Sequence, residues 1–294
     1  MESPRHPIAH THRSFDKVFK LHACDGVGPL MASLSSIWQQ HYADLFTPGL
    51  QVMVKINLNS SNPYPASTSP EILKALLEIL RQRGITDILV GACSANGALP
   101  TRRQAKKAGI LDAVTGRARL VCFDEEPWVT VPISGYYLKH VTVPQEVMRV
   151  DRIISLANMK THKLASFTLG MKLAVGFMHP LERITLHQGN LQQKVTEIQL
   201  AVPSDLTIID GRLAFITGGP DKGEVSKADL VIMGSNPLAV DIEAYKALYA
   251  LKKKHRCLEG FAENPLVMAQ FSHAMKLGIG GGPNDNYQTV EVPD

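Results

Sequence analysis

The feature that most constrains the fold lies at residues 51–91. An apolar run, Gln51-Val52-Met53-Val54-Lys55-Ile56-Asn57-Leu58, is followed by a polar loop over 59–69. Pro70 then stands where a first helical turn begins, with Ser69 or Thr68 as candidate N-cap. Ile72, Leu73, Leu76, Leu77 and Leu80 recur at helical spacing, and Gly84 marks the stop. A second apolar run, Asp87-Ile88-Leu89-Val90-Gly91, precedes a loop of small and polar residues over 92–100. A strand, a crossover helix and a strand in that order pair in parallel, because antiparallel neighbours need only a short turn.

The rest of the chain repeats this logic. Residues 119–123, 152–156, 206–211 and 230–234 read as buried strands, and 29–46, 192–200 and 237–251 as helices. The expected fold is α/β, a mostly parallel sheet with flanking helices, with a sub-lobe boundary near residue 150 as one arrangement of its halves. Residues 1–14 are polar, hold His6, His10 and His12, and read as a flexible N-terminal arm. Residues 15–294 form the α/β domain.

Bulk properties narrow the partners. The net charge is only +4, and no dense Lys/Arg block is interleaved with aromatics, so no nucleic-acid partner is expected. The run Lys252-Lys253-Lys254-His255-Arg256 follows an apolar helical pattern and reads as a helix C-terminus facing its own dipole. The four cysteines, Cys24, Cys93, Cys122 and Cys257, have no CxxC spacing. They fit a reducing cytoplasm, and no iron–sulfur cluster is expected from this chain alone. No apolar run of about 18 residues suggests a membrane span. The oligomeric state is left open.

The chemistry gathers in the second half. Lys160, His162, Lys163, Lys172, His179 and His187 fall within thirty residues of an otherwise apolar, Gly-containing segment. Buried or cleft-facing cations need a counter-charge, so the segment points to a site for something negative. In open parallel sheets, ligands sit beyond the carboxyl ends of the strands. Lys55, Asn57 and Asn59, Ser94 and Asn96, Asn158, Lys160 and His162, and Asp210 all fall at such ends. On a strand, Lys55 and Asn57 share a face, as do Lys160 and His162, while Lys163 faces away.

Lys172, inside Gly170-Met171-Lys172-Leu173-Ala174-Val175-Gly176, either snorkels to the surface or is paired in a cleft. As a cleft residue it is mainly an anion anchor, with imine chemistry a minor branch. His162, His179 and His187 supply the three imidazoles of a candidate site for a divalent transition metal. Asp210 and Asp241 are further carboxylates. For Asp241, stabilising a helix N-terminus is the simpler role. The turn Gly218-Gly219-Pro220-Asp221-Lys222-Gly223 reads either as an ordinary turn or as a loop closing over the site, and it lacks the phosphate-loop pattern.

Several motifs in fixed order resemble the DUF362 family of uncharacterised proteins. They are Val54-Lys55-Ile56-Asn57-Leu58, Thr68-Ser69-Pro70, Asn158-Met159-Lys160-Thr161-His162, the Gly170–Gly176 segment, Ile209-Asp210-Gly211, Gly218-Gly219-Pro220 with Gly223, Asn236-Pro237-Leu238-Ala239-Val240-Asp241, and Leu277-Gly278-Ile279-Gly280. The resemblance spans roughly residues 50–285 and implies a fold and a site without a general activity. Many members carry a ferredoxin-like cysteine cluster, which this chain lacks.

Together these readings give an enzyme acting on a small anionic, carboxylate-bearing metabolite by proton transfer, metal-assisted or redox chemistry. Lys172, His162 and Lys160 are the candidate catalytic residues. Lys55, Asn57, Asn59, Ser94, Asn158, Asp210 and Gly219 are the candidate substrate-binding residues. The alternative is a non-catalytic protein that binds an anion, a metal or a separate redox partner.

Overall fold

The alternation of buried residues along each strand decides the architecture. Val52, Val54 and Ile56 face one core cluster, and Met53, between them, faces another. Leu206 and Ile208 likewise face away from Ile209. A strand buried on both sides needs helices on both faces of its sheet, and this is the arrangement found.

The computed structural model describes residues 17–23, 26–95, 99–280 and 287–293. In chain order its elements are β1 (Lys17–His22), α1 (Val27–His41), β2 (Gln51–Ile56), α2 (Pro70–Gln82), β3 (Asp87–Ala92), α3 (Thr101–Lys107), α4 (Ile110–Val114), β4 (Arg119–Cys122), β5 (Trp128–Pro132) and β6 (His140–Pro144). There follow β7 (Arg152–His162), β8 (Ser166–Thr168), α5 (Gly170–Leu173), α6 (Pro180–Leu186), α7 (Leu191–Glu197), β9 (Leu206–Phe215), β10 (Val225–Gly234), α8 (Pro237–Lys254), α9 (Ala269–Lys276) and β11 (Gln288–Val292). The N-terminal arm with its three histidines, and Asn96, lie outside the described residues.

The main sheet runs β11-β1-β10-β9-β7-β2-β3-β4, with β8 paired to β7 and β5-β6 forming a separate ribbon. The stretch β9-β7-β2-β3-β4 is parallel. Beyond β9 the sheet turns antiparallel at β10 and β1, and β11 pairs parallel to β1. The fold is therefore a mixed α/β with a mostly parallel central sheet, as the strand–helix–strand order predicts. The neighbourhood of residue 150 is no break in this sheet: β7, which follows it, pairs with β2 on one side and β9 on the other.

One face of the sheet is covered by α1, α2 and α4, whose Leu30, Leu34, Trp38, Leu73, Leu77 and Ile110 pack on the face that carries Val52, Val54 and Ile56. On the other face α8 and α9 cover β9 and β10, while the segment 174–202 covers β2, β3 and β7. No described helix is long and apolar enough to cross a membrane.

Two elements differ from the sequence expectation. β7 does not stop at Leu156 but runs to His162, where it doubles back through β8. Asn158, Lys160 and His162 are thus held in a ladder rather than in a loop. The basic run at 252–256 does end a helix, but Lys252 is buried, its Nζ donating to Ile216 O at 2.8 Å beneath the Phe261 ring.

Candidate functional site

A cleft of about 190 Å³ opens beyond the carboxyl ends of β2 and β3. Its lining includes Lys55, Asn57 and Asn59 from β2 and the loop after it, and Cys93 and Ala95 after β3. His162 and Thr168 come from the β7–β8 hairpin, Lys172 and Gly176 from α5 and beyond, and Arg183 and His187 from α6. Pro220 and Asp221 enter from the turn between β9 and β10.

The charge balance of this cleft is lopsided. Lys55, Lys172 and Arg183 line it at 2%, 9% and 8% exposure, and Lys160 lies fully buried behind them. Asp221 is the single acid among the described lining residues. Lys55 Nζ donates to Ile56 O and Lys160 Nζ to Ala66 O, both at 2.6 Å. Lys172 Nζ has no hydrogen-bond or ion-pair partner among the described residues.

Arg183 is fixed by three backbone carbonyls, of Met178, Ser94 and Gly176, at 2.9, 2.8 and 3.2 Å. None of these four cations makes a salt bridge within the described residues. Taking them out of water favours their neutral forms. Burial, with Arg183 adding repulsion, brings Lys55 down to about 7 and Lys172 to about 8. Burial also brings Lys160 to about 7, with Lys172 adding repulsion and Asp221 opposing it.

The glycines of the 170–176 motif are explained by what stands against them. A Cβ on Gly176 would lie 2.5 Å from Lys55 Nζ, and one on Gly170 would lie 2.4 Å from the Thr207 methyl and 2.8 Å from Asp241 Oδ1. Asp241 accepts from the Gly170 and Met171 N–H groups at 2.7 and 3.0 Å. The aspartate on α8 therefore caps the one-turn helix that presents Lys172, not its own helix, which Asn236 caps through Ala239 N–H. Asp241→Ala leaves two buried N–H groups orphaned. It is expected to cost about 2–4 kcal/mol in urea unfolding, and Asp241→Asn, which keeps one acceptor, is expected to cost less.

The turn before β10 is held as tightly. Gly219 has φ +72°, and a Cβ there would stand 1.9 Å from the Thr161 carbonyl oxygen. Because that obstacle is backbone, Gly219→Ala is expected to destabilise the fold by about 2–4 kcal/mol in thermal or urea unfolding. Gly219 itself is not among the lining residues; it seats Asp221, whose backbone carbonyl accepts from Asn62 Nδ2 at 3.3 Å. The turn is thus a packed wall of the cleft.

The two histidines of the cleft carry opposite tautomers. His162 Nδ1 accepts from the N–H groups of Leu164 and Ala165 at 3.1 and 3.2 Å, which places its proton on Nε2. Burial, then Lys172, His187 and Lys160, hold His162 down to about 3. It stays neutral near pH 7 and offers a hydrogen-bond donor. His187 Nδ1 lies 2.6 Å from the Arg183 carbonyl oxygen. A carbonyl only accepts, so His187 carries its proton on Nδ1 and keeps a lone pair on Nε2.

Several expected site residues fall elsewhere. His179 is not in the cleft: its Nδ1 accepts from Leu181 N–H at 3.3 Å as the N-cap of α6, and its ring meets Trp128 edge-on. The three-histidine metal set is corrected accordingly. Among the described residues no group of three or more His, Cys, Asp or Glu is placed to hold a metal ion. Asp210 is also corrected as a substrate contact. Its carboxylate is taken up by Arg212 at 2.9 and 3.0 Å and by Tyr64 Oη at 2.7 Å.

Asn158 does not line the cleft. It ties β7 to the 59–69 loop, its Nδ2 donating to Pro65 O and Ser67 O and its N–H to Asn57 Oδ1. Ser94 contributes its carbonyl, which anchors Arg183.

Arg183, Asp221, Cys93 and Thr168 are lining residues that the strand-end reading missed. Arg183 had one signal, since it lies four residues before His187 on one helical face. Thr168 Oγ1 is buried without a hydrogen-bond partner among the described residues, one more polar atom left open at the cleft.

Three comparisons bear on this chain. The family described as Domain of unknown function (DUF362) matches residues 52–246. A thylakoid-associated protein of Synechocystis is 24% identical over 233 residues, covering 73% of this chain and 68% of that protein. A solved protein from Thermotoga maritima superposes with a TM-score of 0.47 and 14% identity over 76% of this chain. The lactate racemase apoprotein from Thermoanaerobacterium thermosaccharolyticum gives 0.46 and 10% over 75%. The chain spans 58% and 54% of the lengths of these two solved proteins. The match over residues 52–246 takes in most of the motifs and all of the cleft, and the chain belongs to the DUF362 family.

Proposed function

We propose that this protein is an enzyme for a small carboxylate-bearing metabolite, bound as an anion in the cationic cleft. The observation that carries the reading is the unbalanced charge: Lys55, Lys172 and Arg183 converge on a cleft with Asp221 as its one described acid, and Lys172 makes no hydrogen bond or ion pair with any described residue. At about 190 Å³ the cleft is smaller than pockets for drug-sized ligands, which run from roughly 300 Å³. That size suits a compound of a few carbons.

In this reading Arg183 and Lys55 hold the carboxylate. His187 Nε2 removes a proton from the neighbouring carbon, and His162 Nε2–H steadies the charge that develops on oxygen. His162 acts as a donor rather than a base, because its lone pair is committed to two backbone N–H groups.

The test is a panel of mono- and dicarboxylates screened by thermal shift, followed by NMR detection of deuterium entering the bound compound from D₂O. At least one acid is expected to stabilise the protein, with the effect lost in Arg183→Gln and the exchange lost in His187→Ala. If no acid binds, or binding survives Arg183→Gln, the reading is wrong. Binding without exchange would leave a non-catalytic anion binder in its place.

A further inference from the structure

We propose that Lys172 is a nucleophilic amine that condenses with the carbonyl group of a small 2-oxo acid, forming an imine within the cleft. The inference rests on the anion-cleft reading above and names its substrate class.

Hydrogen bonding separates the three lysines. Lys55 Nζ and Lys160 Nζ are each committed to a backbone carbonyl at 2.6 Å, and Lys160 does not line the cleft. Lys172 alone lines the cleft with its Nζ unengaged by any described residue, on a helix turn fixed from behind by Asp241. An amine must be neutral to attack a carbonyl. Burial and the repulsion of Arg183 supply this by lowering Lys172 to about 8, so a useful fraction is neutral near pH 7.

The neighbours of Lys172 set the substrate. Arg183 lines the same cleft as Lys55 and Lys172. Three of the five guanidinium N–H donors are used on backbone carbonyls. Two remain for a carboxylate. A carboxylate seated on Arg183 brings the next carbon toward Lys172. If that carbon is a carbonyl, its oxygen can accept from His162 Nε2–H, since His162 lines the cleft with its Nδ1 already engaged. The compound with a carbonyl next to its carboxylate is a 2-oxo acid.

The step balances without a redox partner. The Lys172 nitrogen bonds to the carbonyl carbon and gives up two protons in the course of the reaction. The carbonyl oxygen leaves as water with both of them. His187 Nε2 takes the first proton from the attacking nitrogen and returns it to the departing hydroxyl. The neutral imine takes one proton from solvent, and the resulting iminium withdraws electrons from the next carbon along, C3, from which His187 Nε2 can then remove a proton.

The test uses the whole protein with pyruvate and sodium cyanoborohydride, read by intact mass and peptide mapping. One reduced pyruvate adduct is expected, on Lys172. It is expected to be absent from Lys172→Arg and suppressed in the unaltered protein by propanoate, which has the carboxylate but no carbonyl. Adducts spread over exposed lysines, equal in Lys172→Arg and insensitive to propanoate, would overturn the proposal. Pyruvate binding by calorimetry with no adduct would overturn the imine and leave the anion cleft standing. No binding of either acid would count against both.

Discussion

Lys172→Met is expected to give a more stable protein that binds carboxylates more weakly. Lys172 is buried, makes no hydrogen bond or ion pair with any described residue, and is repelled by Arg183 with only Asp221 opposing. Its ammonium form is therefore a cost to the unliganded fold, recovered only when an anion binds. Methionine keeps the unbranched length and removes the charge.

Each kcal/mol gained should raise Tm by about 2–4 °C in a large domain. Anion affinity should fall at least about tenfold, the usual loss for one charge-assisted contact. Thermal melts with and without a binding carboxylate measure both quantities. A variant that melts lower than the parent would show that Lys172 is a structural residue with a partner of its own. A variant that binds as tightly as the parent would remove it from the site.

The contrast between Lys172 and Asp210 shows what the sequence can and cannot convey. Period-two and helical spacing were enough to place β2, α2, β3 and α8, because burial on one face is a property of neighbours in the chain. The same spacing put Lys55 and Asn57 on a strand end and gathered Lys160, His162 and Lys172, and the structure brings these to one region. Which charges are already answered is a long-range fact. Asp210 and Lys55 look alike at strand ends, yet Tyr64 and Arg212 answer the charge of the first and no described acid forms an ion pair with the second. Arg212, two residues on, was the local hint.

His179 carried its own sign in Pro180, since a polar residue before a proline often caps a helix. Asp221 had only its place in the Gly218–Gly223 turn, one reading of which is a loop closing over the site; the packing of Gly219 against Thr161 that fixes this turn is a long-range fact. The antiparallel edge was hidden for a similar reason. β1 and β11 come from opposite ends of the described chain and meet only in the fold.

The buried lysines also fix how the protein should respond to pH. Their folded values are about 7 for Lys55, about 7 for Lys160 and about 8 for Lys172, all below the unfolded value near 10.5. Above pH 7 the unfolded chain therefore holds more protons at these positions than the folded chain. Stability must then rise with pH, each group contributing up to about 1.4 kcal/mol per pH unit.

Near pH 9 the rise begins to be offset, in part, by Cys122, which acts in the opposite sense. Burial pushes its thiol up to about 12, so above 9 the unfolded chain loses a proton that the folded chain keeps. The unliganded protein is thus expected to grow more stable from pH 7 to pH 9 in urea unfolding.

A bound carboxylate reverses the effect. It favours the ammonium forms, so binding must draw protons from solution, and affinity must fall over the same window in which the free protein gains stability. Calorimetry in buffers of different ionisation enthalpy reads the uptake directly. An uptake of up to about one proton per site at pH 8 is the expected result, the proton that recharges Lys55 against the carboxylate. Uptake near zero, with a flat stability profile from pH 7 to pH 9, would mean that the lysines are charged in the free protein. The cleft would then hold a counter-anion at all times, and the chemistry assigned to Lys172 would have no neutral amine to start from.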